Sequence, residues 1–163
     1  MRLRWCLPTL LSIFGTSQAL GQEIAIGSYG LRAGINANPD QLNVGAHLDV
    51  GRLTERVRLR PSFEVGLGNG VVLGAANVDA HYLFTRGSLR SYAGGGLGLN
   101  VIEVTNGIGQ GGGLDLAPVL NFVGGVEWGS AHRGSTALGR YLLEARVGMG
   151  DTPDLKLVFG VSF

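Results

Sequence analysis

The sequence has few of the residues that mark a typical soluble domain. Among 163 residues there is one cysteine, Cys6, and one lysine, Lys156. A single cysteine excludes an internal disulfide and a site of several thiolate ligands. Soluble proteins cover their surface with lysine and glutamate. Because every other basic residue of this chain is arginine, it has too little lysine for a surface of that kind.

Long apolar runs are also missing, except near the start. Arg2 and Arg4 precede the apolar stretch Cys6–Phe14, and small residues follow in Thr16–Ala19. This pattern predicts a secretory signal peptide over residues 1–19, with cleavage as late as residue 22; the alternative is a frayed apolar N-terminus. Beyond it no run of about 18 apolar residues offers a transmembrane helix.

The expected cleavage has two further consequences. It removes Cys6, so the exported chain would hold no thiol. It also removes Arg2 and Arg4, which leaves 11 basic residues against 12 acidic ones. A nearly neutral chain lacks the electrostatic basis for binding nucleic acid, so no nucleic-acid partner is expected.

What the sequence does have is alternation of apolar and polar residues. After residue 23 this period of two, which is the period of a strand, recurs in eight segments separated by turn signals. Eight strands of about 9–11 residues fit the smallest closed barrels. We therefore predict an all-β fold, an eight-stranded antiparallel up-and-down transmembrane β-barrel over residues 24–163.

Three local signals refine this prediction. Pro61 interrupts the third strand and cannot donate to a ladder, so we expect a bulge or a missing bond there. Gly68–Gly70 predicts a tight hairpin. The polar and glycine-rich stretch 103–115 predicts one longer connection, on the side opposite the termini.

Two features indicate that the polar face points inward. That face carries many of the 29 glycines, which make room for long side chains inside a narrow barrel. It also sets arginine, the better cation for buried pairs, against Glu and Asp. The predicted ion pairs of the lumen involve Arg58, Arg60, Glu64, Asp79, Arg90, Glu127, Glu144 and Arg146.

Aromatic residues support the same orientation. They fall at strand ends on the side of the two termini and on the apolar face: Tyr29, Tyr82, Phe84, Trp128, Tyr141 and Phe163. Rings of this kind form the girdle of a membrane barrel at the lipid interface. An export signal together with this girdle predicts that both termini lie in the periplasm.

With these features in place, Tyr92–Asn100, Phe122–Gly129 and the terminal Phe163 resemble the small outer-membrane β-barrel family. That family includes the membrane domain of outer membrane protein A and the opacity-type surface proteins. The resemblance implies a Gram-negative-type envelope, outer-membrane lipid around the barrel, and recognition by the barrel-assembly machinery. The implied assembly signal is the last strand, with Leu155, Leu157, Phe159, Val161 and Phe163.

Several chemical motifs are present but lack their context. Gly107–Gly112 has the spacing G-x-G-x-x-G, yet no helix is predicted after it, so a nucleotide site is not expected. Ser62, Asp79 and His81 lie on neighbouring strands, but a hydrogen-bonded lumen role for His81 is favoured over catalysis. His47 lies on the polar face and His132 in a turn. No cofactor, metal or enzymatic activity is expected.

The sequence thus favours a monomeric outer-membrane barrel with a structural or surface-exposed role and a lumen plugged by ion pairs. The alternative is a transport or binding barrel for small solutes or an apolar ligand. A soluble lipocalin-type barrel is a third possibility, disfavoured because no G-x-W motif lies near the mature start.

Overall fold

A computed structural model describes residues 26–38, 40–68, 70–84, 87–104, 114–129, 139–150 and 153–163. The strands in these ranges are β1 Ile26–Ala37, β2 Gln41–Val50, β3 Val57–Gly68, β4 Val71–Leu83, β5 Leu89–Val104, β6 Leu114–Trp128, β7 Arg140–Met149 and β8 Leu155–Ser162. Each strand pairs antiparallel with the next, and β8 returns to β1 to close the barrel. The predicted eight-stranded up-and-down barrel is confirmed. The expected signal peptide, residues 1–19, lies outside the described ranges.

Closure depends on the pairing of the first and last strands. Leu31 lies opposite Val161, and Ile35 lies opposite Leu157. Beyond this ladder the backbones of Tyr29 and Phe163 exchange two hydrogen bonds, with N···O distances of 3.3 and 2.7 Å. Strand β8 therefore has neighbours on both edges and is not an open edge.

The ladder between β2 and β3 stops early. It runs from Leu42 opposite Leu67 to His47 opposite Ser62. The next pair would set Leu48 against Pro61, which has no N–H to donate. Only an isolated bridge between residues 52 and 58 follows. The missing bond expected at Pro61 is confirmed.

The connections at the end opposite the termini are short where the structure describes their flanks. Gly68 pairs with Val71 across the predicted hairpin, and Gly70 has a φ of 69° that favours glycine. The predicted loop 103–115 is too long, because Glu103 still pairs with Leu114. Backbone hydrogen bonds between strands do not require apolar side chains, so β5 and β6 continue into the polar stretch that was predicted to be a loop.

The barrel has the inverse of a soluble protein's surface. Most large apolar side chains point outward, for example Leu42 and Leu97, each 70% exposed. Charged and amide side chains point inward and are buried, with Arg60 and Asp79 at 0% exposure. Among the described residues there is no helix of the length and apolar character that crossing a membrane requires.

Candidate functional site

The middle of the lumen holds a charge-balanced group that we call the central cluster. Its three cations and three carboxylates are Arg32, Glu64, Asp79, Glu144, Arg146 and Lys156. Nη2 of Arg146 lies 2.7 Å from Oδ2 of Asp79 and 3.1 Å from Oε1 of Glu144. Because Asp79 lies on β4 and Arg146 on β7, their contact crosses the lumen, whereas Glu144 is two residues from Arg146 on the same strand.

Glu64 occupies the other side of the central cluster. Its Oε1 accepts a hydrogen bond of 2.8 Å from Nη1 of Arg32, and its Oε2 accepts one of 3.3 Å from Nζ of Lys156. Nη2 of Arg32 also lies 3.6 Å from Oε1 of Glu144. Every carboxylate of the central cluster therefore meets at least one cation, as buried charges require.

A second group, the mouth cluster, lies nearer the end that carries the chain termini. It consists of Asp49, Arg58, Arg60, Glu127 and Arg140. Oε1 of Glu127 lies 2.6 Å from Nη2 of Arg60 and 2.7 Å from Nη2 of Arg58. Asp49 accepts from Nε of Arg60 at 2.8 Å.

Tyr92 lies between the two clusters. Its hydroxyl donates to Oε2 of Glu144 at 2.7 Å, and its ring stacks on His81 with centroids 4.6 Å apart. The guanidinium carbons of Arg58 and Arg60 lie 5.5 and 5.8 Å from the ring centroid, within cation–π range. The tyrosine thus contacts cations of the mouth cluster and an anion of the central cluster.

Glycines leave the space that these long side chains fill. A Cβ at Gly96 would collide with Oδ1 of Asp79, and one at Gly125 would lie 2.6 Å from the hydroxyl of Tyr92. Both separations are far below van der Waals contact. The glycines of the polar face are therefore a steric requirement of the ion-pair network.

Toward the opposite end the lumen changes from charges to amides. Asn36 donates to Oε1 of Gln41 at 3.1 Å and accepts from Asn43. Asn121 donates to Oδ1 of Asn77 at 2.8 Å. All five side chains belong to buried residues, so this part of the lumen is also filled.

The structure brings most of the predicted lumen residues together. Those found in ion pairs are Arg58, Arg60, Glu64, Asp79, Glu127, Glu144 and Arg146. Arg90 lies instead at the rim, where its Nε donates to the carbonyl oxygen of Gly87 at 3.3 Å. The strand begins at Leu89, so Arg90 is too close to the barrel end to reach the lumen interior.

The predicted ion pairs left out five members of the network. Arg32, Asp49, Arg140 and Lys156 form ion pairs, and Tyr92 binds Glu144. Each of these residues occupies an inward-facing position on its strand, so alternation alone was enough to predict that its side chain points into the lumen. The partners of Arg32, Tyr92 and Lys156 lie on strands that are not neighbours of their own, which alternation does not reveal.

The arrangement does not assemble the hydrolase set considered from sequence. Asp79 is engaged by Arg146, and His81 Nδ1 lies 3.5 Å from Nη2 of Arg58. Ser62 Oγ is buried with no hydrogen-bond partner among the described residues. A different Ser–His contact exists, 2.8 Å between Oγ of Ser162 and Nε2 of His47, but Nδ1 of His47 has no partner in the described ranges. Without an acid to orient it, that pair is not a triad.

Two further sequence motifs lie outside the described residues, namely Gly107–Gly112 and His132. Within the described ranges no group of three His, Cys, Asp or Glu side chains is placed to hold a metal ion.

The last strand and the rim aromatics lie on the outer face. Leu155, Leu157, Phe159 and Phe163 are 38–49% exposed. Trp128 and Tyr141 stack with centroids 6.0 Å apart, and Phe159 joins both rings. The predicted cluster of aromatics at the terminal rim is present; the assembly signal stays a prediction.

The described residues therefore define a closed eight-stranded barrel with an apolar outer face and a charged interior. Among solved structures, the chain is similar to the N-terminal β-barrel domain of Pseudomonas aeruginosa OprF, with a TM-score of 0.64 and 22% identity over 83% of this chain and 96% of that one. It is also similar to Neisserial surface protein A (NspA), with a TM-score of 0.60 and 15% identity over 83% of this chain and 93% of that one. No family model matches the sequence, and no curated protein matches it significantly. At these identities the likeness establishes the fold.

Proposed function

We propose that the protein is a monomeric integral outer-membrane barrel with a structural or surface-exposed, non-catalytic role. The observation that carries this proposal is the inverted distribution of side chains, apolar outside and charged inside. A closed barrel satisfies its backbone polar groups within the wall, which is what a lipid environment demands of a strand protein. The likeness to the OprF domain and to NspA, a surface protein by name, supports the same assignment.

The outer face fits lipid better than water. Side chains such as Leu31, Leu116 and Met149 are more than half exposed, and at roughly 25 cal/mol per Å² such surface gains free energy on transfer to hydrocarbon. The aromatic rim at the end of the termini would lie at one membrane interface. We assign that end to the periplasm, with both termini there.

The lumen is proposed to be plugged. A permeating ion would have to part contacts of 2.6–2.8 Å, such as Arg60–Glu127 and Arg32–Glu64, and every side chain in these pairs is nearly fully buried. An eight-stranded barrel has an interior just wide enough to be filled by side chains. We therefore assign the network a structural role and expect no steady conduction.

Planar-bilayer recording tests the plugged lumen. The wild-type barrel should give no steady single-channel current, whereas Arg146→Ala combined with Asp79→Ala should give a measurable one, because that variant removes a contact that spans the lumen. The conducting variant also shows that the protein has inserted. Steady currents through the wild-type barrel would overturn the plug.

Carbonate washing of cell membranes tests integral insertion. The protein should stay in the pellet with the outer-membrane fraction. Release into the supernatant would exclude an integral barrel. Outer-membrane lipid and, during biogenesis, the barrel-assembly machinery are the proposed partners.

One observation favours a binding role as the second candidate. A depression of about 620 Å³ lies on the outer face where the β2–β3 ladder stops, between Leu48, Phe63, Val78 and Leu97. Small or rigid residues, including Ala46 and Pro61, also line it. A lipid acyl chain fits this chemistry. Ala76→Phe fills the depression and should reduce the amount of lipid that copurifies with the protein. Equal amounts of lipid with this variant and with wild type would contradict a binding role.

A further inference from the structure

The two charged clusters of the lumen differ in net charge. The central cluster contains three cations and three carboxylates. At the mouth, Arg90 adds to the cations of the mouth cluster, so four guanidinium groups face the two carboxylates of Asp49 and Glu127. These four arginines and two carboxylates together carry a net charge of +2.

The excess charge surrounds a recess. A cavity of about 270 Å³ opens at the terminal mouth, and its lining includes Ser28, Asp49, Arg52, Arg58, Arg90 and Arg140. Three of its four arginines, Arg58, Arg90 and Arg140, come from β3, β5 and β7, so they approach the recess from different parts of the wall. The recess is a concave site rather than an open patch of surface charge.

Hydrogen-bond donors remain available at this mouth. Nη1 of Arg60 and Nε of Arg140 are buried and donate no hydrogen bond within the described part of the chain, and Nε of Arg58 has only a 3.4 Å ion-pair contact with Oδ1 of Asp49. The nearest carboxylate oxygen to Nη1 of Arg140 is 3.8 Å away, on Glu127. Asp49 is already engaged by Arg60 and by the hydroxyl of Ser28. Buried donors without acceptors are costly, and an anion supplies acceptors.

From this geometry we propose that the terminal mouth of the barrel binds a phosphate group. Guanidinium forks bind oxyanions through paired, charge-assisted hydrogen bonds. A phosphate carries about 1.5 to 2 negative charges at neutral pH, which is comparable with the local excess. Its oxygens point in several directions, as the arginines from three strands require, whereas a carboxylate presents two oxygens in one plane.

The sequence around the mouth supports attraction of an anion. Among the described residues of the connections on this side, Arg52 adds a further guanidinium group to the lining of the recess. The opposite end has the reverse sign, with Asp40, Glu103, Asp115 and Asp154 among its described residues. Such an asymmetric field concentrates anions at the basic mouth.

Isothermal titration with inorganic phosphate at low ionic strength tests the site on the folded barrel in detergent micelles. Wild type should bind one phosphate saturably. Arg140→Gln and Arg90→Gln should each weaken binding about 10- to 100-fold, the range for loss of a charge-assisted hydrogen bond. The matched control is Arg56→Gln, which removes the same charge at the same end from an exposed arginine that contacts the hydroxyl of Tyr82. It should change the affinity less than about twofold.

Two results would overturn the site. One is the absence of saturable phosphate binding by wild type. The other is an equal loss of affinity in Arg56→Gln and Arg140→Gln, which would show a diffuse charge effect. If Arg140→Gln does not fold, an NMR titration of isotope-labelled wild type tests the site instead. Phosphate should shift the Nε–Hε resonances of Arg58 and Arg140 and leave the resonance of Arg56 unchanged.

A second arm distinguishes a free phosphate from one on a lipid. The titration is repeated in phosphatidylcholine nanodiscs with and without phosphatidic acid, whose headgroup is a phosphate monoester. Competition by phosphatidic acid assigns the site to a lipid headgroup, and unchanged affinity assigns it to a soluble phosphate compound. The site itself does not depend on the cellular location proposed above.

Discussion

Arg146 on β7 reaches Asp79 on β4, with 2.7 Å between Nη2 and Oδ2, although β5 and β6 separate the two strands in the wall. Both residues are at most 1% exposed. The contact ties together parts of the barrel that share no backbone ladder. Contacts of this kind across the lumen stabilise the barrel in addition to the backbone hydrogen bonds of the closed sheet.

Loss of the Asp79 charge should destabilise the barrel strongly. Asp79→Asn leaves Arg146 buried with only part of its counter-charge, and breaking a buried pair costs about 3–5 kcal/mol. Urea unfolding in micelles, followed by tryptophan fluorescence, measures the free energy. Asp154→Asn is the matched control, since Asp154 accepts an exposed hydrogen bond of 2.8 Å from Asn38. Its effect should stay below about 1 kcal/mol; similar losses in both variants would contradict the account.

The hydroxyl of Tyr92 should contribute measurably to stability. Tyr92→Phe removes the donor to Glu144 and leaves one buried carboxylate oxygen without it, a loss of about 1.5–3 kcal/mol for a hydrogen bond to a charged group. Tyr29→Phe, whose ring is 61% exposed at the rim, serves as the comparison and should be nearly neutral. The same unfolding assay decides. Equal stability of the two variants would show that this bond contributes nothing.

Adjacent glycines on β6 offer a steric test. A Cβ at Gly125 would lie 2.6 Å from the hydroxyl of Tyr92 and from the carbonyl oxygen of Leu143, while the nearest contact of one at Gly124 is 3.9 Å. Gly125→Ala should cost about 1–3 kcal/mol through overpacking. Gly124→Ala should be neutral or slightly stabilising. If Gly125→Ala unfolds at the wild-type urea concentration, the lumen is looser than the structure indicates.

The contrast between Gly124 and Gly125 also shows what the sequence could and could not predict. Alternation assigns each residue to a face, so the barrel, its closure through β8 and the inward direction of Glu144 were all accessible. Partners across the lumen depend on strand register and tilt, which alternation does not encode. This is why the contacts of Lys156 and Arg32 with Glu64 were missed, and why Arg90 was placed too deep.

The terminal aromatic should matter more for assembly than for the finished barrel. Phe163→Ala, or a few polar residues added after it, should reduce the amount of folded protein in the outer membrane. The same variant refolded in micelles should lose little stability, because Phe163 lies on the outer face, 49% exposed. Phe122→Ala, with a similar exposure of 52%, is the control and should assemble normally. Normal insertion of both Phe163 variants would remove the assembly role.

The proposal of a closed, lipid-embedded barrel is tested most directly by the gel mobility of the protein from outer-membrane fractions, with and without boiling. A closed barrel whose wall is fully paired resists detergent until it is heated, so the unboiled sample should migrate as a distinct compact band and the boiled sample as the unfolded chain. A single band of the same mobility in both samples, or recovery of the protein in the soluble fraction, would contradict it.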